Sequence, residues 1–203
     1  MSSPSVVASR TCASLARVIS DTFSPPVLAV PGLLLGAYFS ATPGIYSLAL
    51  VYFLVGVVAP VMYVLWLVRI GSITDFHIPD RRDRRGPFLA SLGCGILAVG
   101  LLAYLGAPAT FIAPVIALLA ETLILFLITL FWQVSIHTAT TAGVVTFAIY
   151  VLGSEAVLLT LLVPLVAWAR VYLERHTITQ TVWGTLIGTG VFMVLIALRG
   201  IVW

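Results

Sequence analysis

Long apolar stretches separated by short polar breaks make up most of this chain. As helices these stretches measure from about 24 to about 35 Å, against a hydrocarbon core of about 30 Å. The pattern predicts an all-α, polytopic transmembrane bundle of six to seven helices, formed by one domain over residues 26–203. The stretches cover residues 26–41, 45–69, 88–106, 110–133, 137–152, 155–170 and 178–200.

The first stretch differs from the others because it carries Pro25, Pro26 and Pro31. Proline removes a backbone donor, so this stretch is expected to be tilted, kinked or re-entrant. Residues 1–25 before it are polar and rich in small side chains. They predict an amphipathic or disordered lead-in and do not resemble a cleaved signal peptide.

Composition excludes a water-soluble domain. Of the 203 residues, 61% are apolar and 8% are charged, and the mean hydropathy is +1.17. The ten basic residues are all arginine and lie in clusters between apolar stretches, which argues against a nucleic-acid partner. Cys12 and Cys94 are too far apart for a metal-binding spacing, and no metal or cofactor is expected.

Three polar clusters interrupt the apolar pattern, at residues 75–88, 131–143 and 169–180. Two apolar stretches separate each cluster from the next, and two crossings return a chain to its starting side. All three clusters are therefore expected on one side of the membrane, where they can meet in one site.

The side itself depends on the first stretch. Outside the clusters, Arg10, Arg17 and Arg69 are expected on the same side of the membrane as the clusters, and Arg199 on the other side. By the positive-inside rule, this distribution favours the cytoplasm as the side of the clusters. If the first stretch does not span, the amino terminus moves to the other side and the preference for the cytoplasmic side is lost. The protein is expected in the cell membrane.

The first cluster, DFHIPDRRDRRGPF, carries four arginines interleaved with Asp80 and Asp83. It suits either a solvated, salt-bridged loop that attracts anionic headgroups or discrete phosphate-binding forks, which arginine forms best. Arg81 and Arg84 are the candidates for such forks, with Arg85 as an alternative to Arg84.

The other two clusters add nucleophile and acid chemistry. Ser135 and His137 open an apolar stretch, where the free amides of a helix first turn favour an anion. Arg170 precedes His176 by six residues, and Gln180 follows four later. On a helix the last two would share a face, so the amide oxygen could hold one imidazole nitrogen and leave the other to attack. The alternative is a cytoplasmic loop with topological arginines and an incidental histidine.

Together, in this order, the clusters resemble the three-part signature of the type 2 phosphatidic acid phosphatase superfamily of membrane enzymes. Ser135 and His137 match its Ser-x-His motif. Arg170 and His176 match its Arg-x5-His-x3-Asp motif, except that Gln180 stands for the acid. The resemblance covers roughly residues 70 to 200.

The resemblance has three departures. The lysine of the first motif is missing, and residues 79–87 read Pro-x-Arg-x-x-Arg-x-x-Pro. Val134 and Ile136 replace the proline and glycine around the serine. Gln180 resembles the dolichyl-diphosphate phosphatase branch, and its lack of charge bears on the rate and the pH optimum.

The resemblance implies a metal-independent lipid phosphatase. His176 would be the nucleophile that forms a phosphohistidine, Gln180 would orient it, and His137 would protonate the leaving group. An isoprenoid phosphate or diphosphate is favoured over phosphatidic acid. The residues implied in phosphate binding are Arg170, Ser135, Arg81, Arg84 and Arg85.

A polyprenyl transferase or a CDP-alcohol phosphotransferase needs more aspartates than Asp80 and Asp83 provide. The alternative from another class is a non-catalytic relative, a structural subunit or lipid-binding component of a membrane complex. Glu121, in the middle of an apolar stretch, suits either a polar pairing role or a protonated structural one. The pattern does not predict an oligomeric state.

Overall fold

The computed structural model describes residues 4–73 and 82–198, and no strand occurs among them. The apolar stretches form helices, and a short 3-10 turn over Arg82–Arg84 precedes α5. A π-helical segment, Phe53–Val58, joins α3 to α4, and a 3-10 helix, Gly153–Leu161, joins α7 to α8. The helices are α1 (Pro4–Thr22), α2 (Pro25–Ser40), α3 (Ile45–Tyr52), α4 (Ala59–Arg69), α5 (Arg85–Tyr104), α6 (Ala109–Thr129), α7 (Ile136–Leu152), α8 (Leu162–Tyr172) and α9 (Ile178–Ala197).

The helices are long and apolar enough for a bilayer. Within the described residues, five helical stretches could each cross a membrane, and α1 with α2, bent by 45° at their junction, could add a sixth. Large apolar side chains cover the outside of the bundle, including Leu54, Ile96 and Leu186, each more than half exposed. Such a surface suits lipid and not water. The expected all-α, multi-pass membrane bundle is confirmed.

Helix α2 extends from one end of the bundle to the other. Its first residues, Pro25 and Pro26, lie beside Arg170 on a shared cavity. At its last residue, the Ser40 hydroxyl accepts a hydrogen bond of 3.1 Å from the Thr110 hydroxyl, at the opposite end, where α6 begins. The helix is therefore not re-entrant, and Pro31 is accommodated inside it.

The helical stretch 136–172 is not one straight span. Helix α7 has 17 residues, about 26 Å at the α-helical rise. A straight continuation would carry Arg170 far beyond the bundle, yet Arg170 and His137 line the same cavity. The chain reverses at Gly153, whose φ of 75° lies in the region that glycine adopts readily. The break between the apolar stretches 137–152 and 155–170 is thus a turn, and α8 packs back along α7.

Helices α7 and α9 approach each other through glycines on α9. A Cβ added at Gly184 would meet the Ser135 carbonyl oxygen and the Thr138 hydroxyl. One added at Gly188 would overlap the backbone of Ala139. Small residues spaced four apart allow this backbone contact between membrane helices. Such close packing holds the helices together, because lipid leaves no hydrophobic force to do so.

Residues 4–22 form an amphipathic helix, one of the two alternatives that the sequence left open. Its buried face packs on α8, where Ala16 and Ile19 meet Val166 and Ala169. The lead-in is therefore a part of the folded bundle at the end that carries Arg170.

Replacing Gly188 with alanine is expected to destabilise the bundle by about 1 to 3 kcal/mol, because the new methyl group overlaps a backbone that cannot yield. The measurement is the thermal unfolding midpoint in detergent. Gly190→Ala is the matched control, since a Cβ there meets nothing within 4 Å. Equal midpoints for the two variants would contradict the close contact.

Candidate functional site

A cavity of about 270 Å³ opens at the bundle end where α5 and α7 begin. Its walls are mostly apolar and come from α2, the π-helical segment with α4, α5 and α6. Four polar side chains from all three sequence clusters converge on it: Arg84, His137, Arg170 and His176. The expectation that the clusters meet at one end of the bundle is confirmed.

His176 is held by the turn that ends α8. The N–H groups of Arg175 and His176 both donate to the Arg170 carbonyl, at 3.0 and 3.3 Å, and the Glu174 N–H donates to the Val171 carbonyl at 3.0 Å. Glu174 has a left-handed φ of 54°. This is a Schellman end to the helix, built without glycine. It places His176 next to Arg170 despite six residues of separation.

Gln180 fixes the tautomer of His176. The Gln180 Oε1 atom accepts the backbone N–H of Thr177 at 3.0 Å and lies 3.1 Å from His176 Nδ1. A backbone N–H can only donate, so the contacted atom is the carbonyl oxygen of the amide, and Nδ1 must carry the proton. The lone pair of the neutral ring is therefore on Nε2.

The contact between His176 and Gln180 differs from the one expected. Helix α9 begins at Ile178, so His176 precedes it and the two residues do not share a helical face. Instead, Thr177 is the N-cap and Gln180 completes a capping box, in which the Gln180 N–H donates to the Thr177 hydroxyl at 3.3 Å. The capping box requires Glu or Gln at this position, and glutamine supplies it without charge.

Burial lowers the pKa of His176 from its ordinary 6.5 to about 3. The positive charges of Arg170 and Arg84 act in the same direction, and the hydrogen bond with Gln180 acts against them. The imidazole is therefore neutral across the physiological range.

Of the candidate arginines in the first cluster, the structure selects Arg84. Its side chain is 4% exposed and lines the cavity. Arg85, the proposed alternative, is exposed and outside the cavity lining. Consecutive residues at a helix start point in different directions, and only one of the pair can face inward. Arg81 lies outside the described residues.

Ser135 takes a different place from the one expected. Its hydroxyl accepts the Thr138 N–H at 3.4 Å as the N-cap of α7, and the side chain is fully buried, outside the cavity lining. Its backbone N–H donates to the Gln180 carbonyl at 3.2 Å. Ser135 therefore joins the second cluster to the third, and His137, two residues on, lines the cavity.

Two polar residues near the site were not assigned from the sequence. Ser20 on α1 accepts a hydrogen bond of 2.7 Å from an Arg170 terminal nitrogen. The available signal was its position among Ala16 and Ile19 on the apolar face of an amphipathic helix. Glu121, left open above, lines the cavity and lies 3.4 Å from the Thr140 hydroxyl.

The described part of the chain contains no group of three or more His, Cys, Asp or Glu side chains that could hold a metal ion. Among the described residues, the guanidinium groups of Arg84 and Arg170 and the buried carboxyl group of Glu121 line the cavity. The arrangement suits an anion, because guanidinium groups pair with phosphate oxygens through parallel hydrogen bonds.

We expect the His176 ring to remain neutral between about pH 4 and 8, because protonation costs free energy in its buried, positive surroundings. The measurement is an NMR titration of protein carrying ¹³C-labelled histidine, with the His176 signal assigned by its loss in His176→Asn. A titration midpoint near pH 6.5 would contradict the buried, positively charged surroundings of His176.

The same pKa shift makes a stability prediction. The unfolded chain takes up a proton at about pH 6.5 and the folded chain only at about pH 3. The contribution of His176 is therefore complete above pH 6.5 and is lost as the pH falls towards 3. His176→Asn should weaken this acid dependence of the unfolding midpoint.

No protein-family model, curated protein or solved structure matches the chain.

Proposed function

We propose that this protein is a membrane lipid phosphatase of the type 2 phosphatidic acid phosphatase kind, working through a phosphohistidine. The observation that carries the proposal is the geometry around His176. Gln180 holds Nδ1–H, so the Nε2 lone pair is available beside two buried arginines. His137 lines the same cavity from the start of α7.

In the first step, the His176 Nε2 lone pair forms a bond to phosphorus. The bond between phosphorus and the leaving oxygen breaks, and its electron pair goes to that oxygen. His137 gives the oxygen a proton. Arg84 and Arg170 hold the equatorial oxygens, where charge accumulates in the transition state.

In the second step, water attacks the phosphorus and His137 takes a proton from it. The bond from Nε2 to phosphorus breaks, its electrons return to the ring, and phosphate leaves. The phosphorylated imidazolium keeps its Nδ1–H bonded to the neutral Gln180. A carboxylate at that position would stabilise this cation, so glutamine favours its hydrolysis.

The substrate of the proposed reaction is a lipid phosphate. The apolar walls of the cavity accept a hydrocarbon chain below the phosphate, and a volume of about 270 Å³ admits the start of one chain. An isoprenoid phosphate or diphosphate is proposed over phosphatidic acid because Gln180 resembles the third motif of the dolichyl-diphosphate phosphatase branch.

The proposed location is the cell membrane, with the site facing the cytoplasm. Because α2 crosses the bundle, α1 lies at the cavity end, together with the end of α4. Arg10, Arg17 and Arg69 thus belong to the side that carries the site, against Arg199 in the sequence. The positive-inside rule then favours the cytoplasmic side.

A non-catalytic, lipid-phosphate-binding subunit is the second candidate. The capping role of the Ser135 hydroxyl and the uncharged Gln180 favour it. Such a protein would bind a phosphate between Arg84 and Arg170 without turnover.

Purified protein in detergent is expected to release phosphate without added divalent metal, and His176→Ala is expected to abolish the release because it removes the nucleophile. The substrate panel comprises polyprenyl mono- and diphosphates, phosphatidic acid and phosphatidylglycerol phosphate. With labelled substrate, an alkali-stable, acid-labile phosphoprotein should form in the wild type and not in His176→Ala. No turnover of any lipid by folded protein would favour the non-catalytic candidate.

Adjacent arginines provide a matched pair of variants. Arg84→Ala is expected to lower kcat/KM by about 100-fold or more, since it removes a buried charge from the transition-state oxygens. Arg85→Ala makes the same chemical change at an exposed position and should alter kcat/KM less than about twofold. Both variants need an unfolding midpoint close to that of the wild type. Similar losses in the two would contradict the assignment of Arg84 to the cavity.

A further inference from the structure

One hydrogen bond joins the amino-terminal helix to the candidate phosphate site. The Arg170 terminal nitrogen NH1 donates to the Ser20 hydroxyl at 2.7 Å, across 150 residues of sequence. Both side chains are almost completely buried, at 1% exposed for Ser20 and 2% for Arg170. Hydrogen bonds from charged donors are among the strongest in proteins.

Packing holds Ser20 in this position. Ala16 and Ile19, on the same face of α1, pack against Val166 and Ala169 of α8. Val166 precedes Arg170 by four residues on α8, and Ala169 directly precedes it. The serine and the arginine are thus presented by two helices already in contact, and the bond needs no adjustment of either backbone.

The orientation of Arg170 matters because a guanidinium group is a planar fork. It pairs with two phosphate oxygens only when its plane contains them, whereas an ammonium group can rotate to suit any partner. An acceptor on one terminal nitrogen limits rotation of that plane. A side chain with several rotatable bonds is then ordered before the anion arrives, which lowers the entropic cost of binding.

We propose that Ser20 is a positioning residue, by which α1 sets the guanidinium plane of Arg170 for the phosphoryl oxygens. The inference rests on the proposed function in that Arg170 is the phosphate-binding arginine. It makes the amino-terminal helix a part of the site, although α1 contributes no group to the reaction.

The test measures the Kd of orthovanadate, a phosphate mimic, by calorimetry on the full chain in detergent. Ser20→Ala is expected to weaken binding about tenfold, as for the loss of one hydrogen bond to a charged group. Ser14→Ala, the same change at an exposed position of α1, should leave Kd unchanged. Ser20→Thr keeps the hydroxyl and should restore binding to within about threefold of wild type.

A second background distinguishes positioning from general damage to the fold. Arg170→Lys keeps a cation but removes the planar fork, so Ser20→Ala should then change Kd by less than about twofold. A tenfold loss in this background as well, or no loss in the wild-type background, would overturn the inference. Should Ser20→Ala not fold, Ser20→Cys, of nearly equal size but a weak acceptor, has to show the loss instead.

Binding and turnover separate the two proposals. Vanadate binding that depends on Ser20, in a protein that hydrolyses no lipid phosphate, would reject the catalytic function and leave the positioning role intact. Hydrolysis that depends on His176, with wild-type kcat and KM in Ser20→Ala, would reject the positioning role alone.

Discussion

The close approach of α7 and α9 is the constraint on which the site depends. Gly184 and Gly188 bring the two backbones together where α7 begins, and the Ser135 N–H then reaches the Gln180 carbonyl. The Thr138 hydroxyl adds a second connection to the Thr181 carbonyl at 3.0 Å. In the absence of a hydrophobic force between membrane helices, such packing and hydrogen bonding determine their relative position. The same contact therefore sets the position of His137 relative to His176.

The short turn between α8 and α9 positions His176 and Gln180. A Schellman end and a capping box follow one another directly, and His176 lies between them. Each satisfies backbone groups that a helix end would otherwise leave unpaired. Gln180 serves both purposes, because one amide oxygen accepts the Thr177 N–H and orients the imidazole. Helix capping and the candidate chemistry thus use the same atoms.

The positive charges in the cavity favour the binding of an anion and disfavour the protonation of His176. Burial lowers the pKa of the His176 imidazole, and the buried guanidinium groups of Arg170 and Arg84 lower it further. A bound phosphate ester brings negative charge to the same place, so it offsets the arginines and raises that pKa during the reaction. Within the proposed mechanism, the nucleophile is neutral before phosphate binds, and the cationic phosphohistidine forms while an anion is present.

The sequence alone determined the structural class of the protein and the general location of its candidate site. Apolar stretches of helical length predicted the bundle, and crossing parity correctly placed Arg84, His137 and His176 at one end. Both results depend on local composition and on chain direction, which do not require knowledge of packing. The sequence could not decide between Arg84 and Arg85. Both are arginines at the start of one helix, and only the neighbouring helices distinguish the inner from the outer side chain. The bond from the Ser135 N–H to the Gln180 carbonyl, Ser20 as the partner of Arg170 and the glycine contacts of α9 were decided by the tertiary structure alone. Each joins residues that are distant in sequence, and their energies depend on which surfaces the fold brings within a few ångströms.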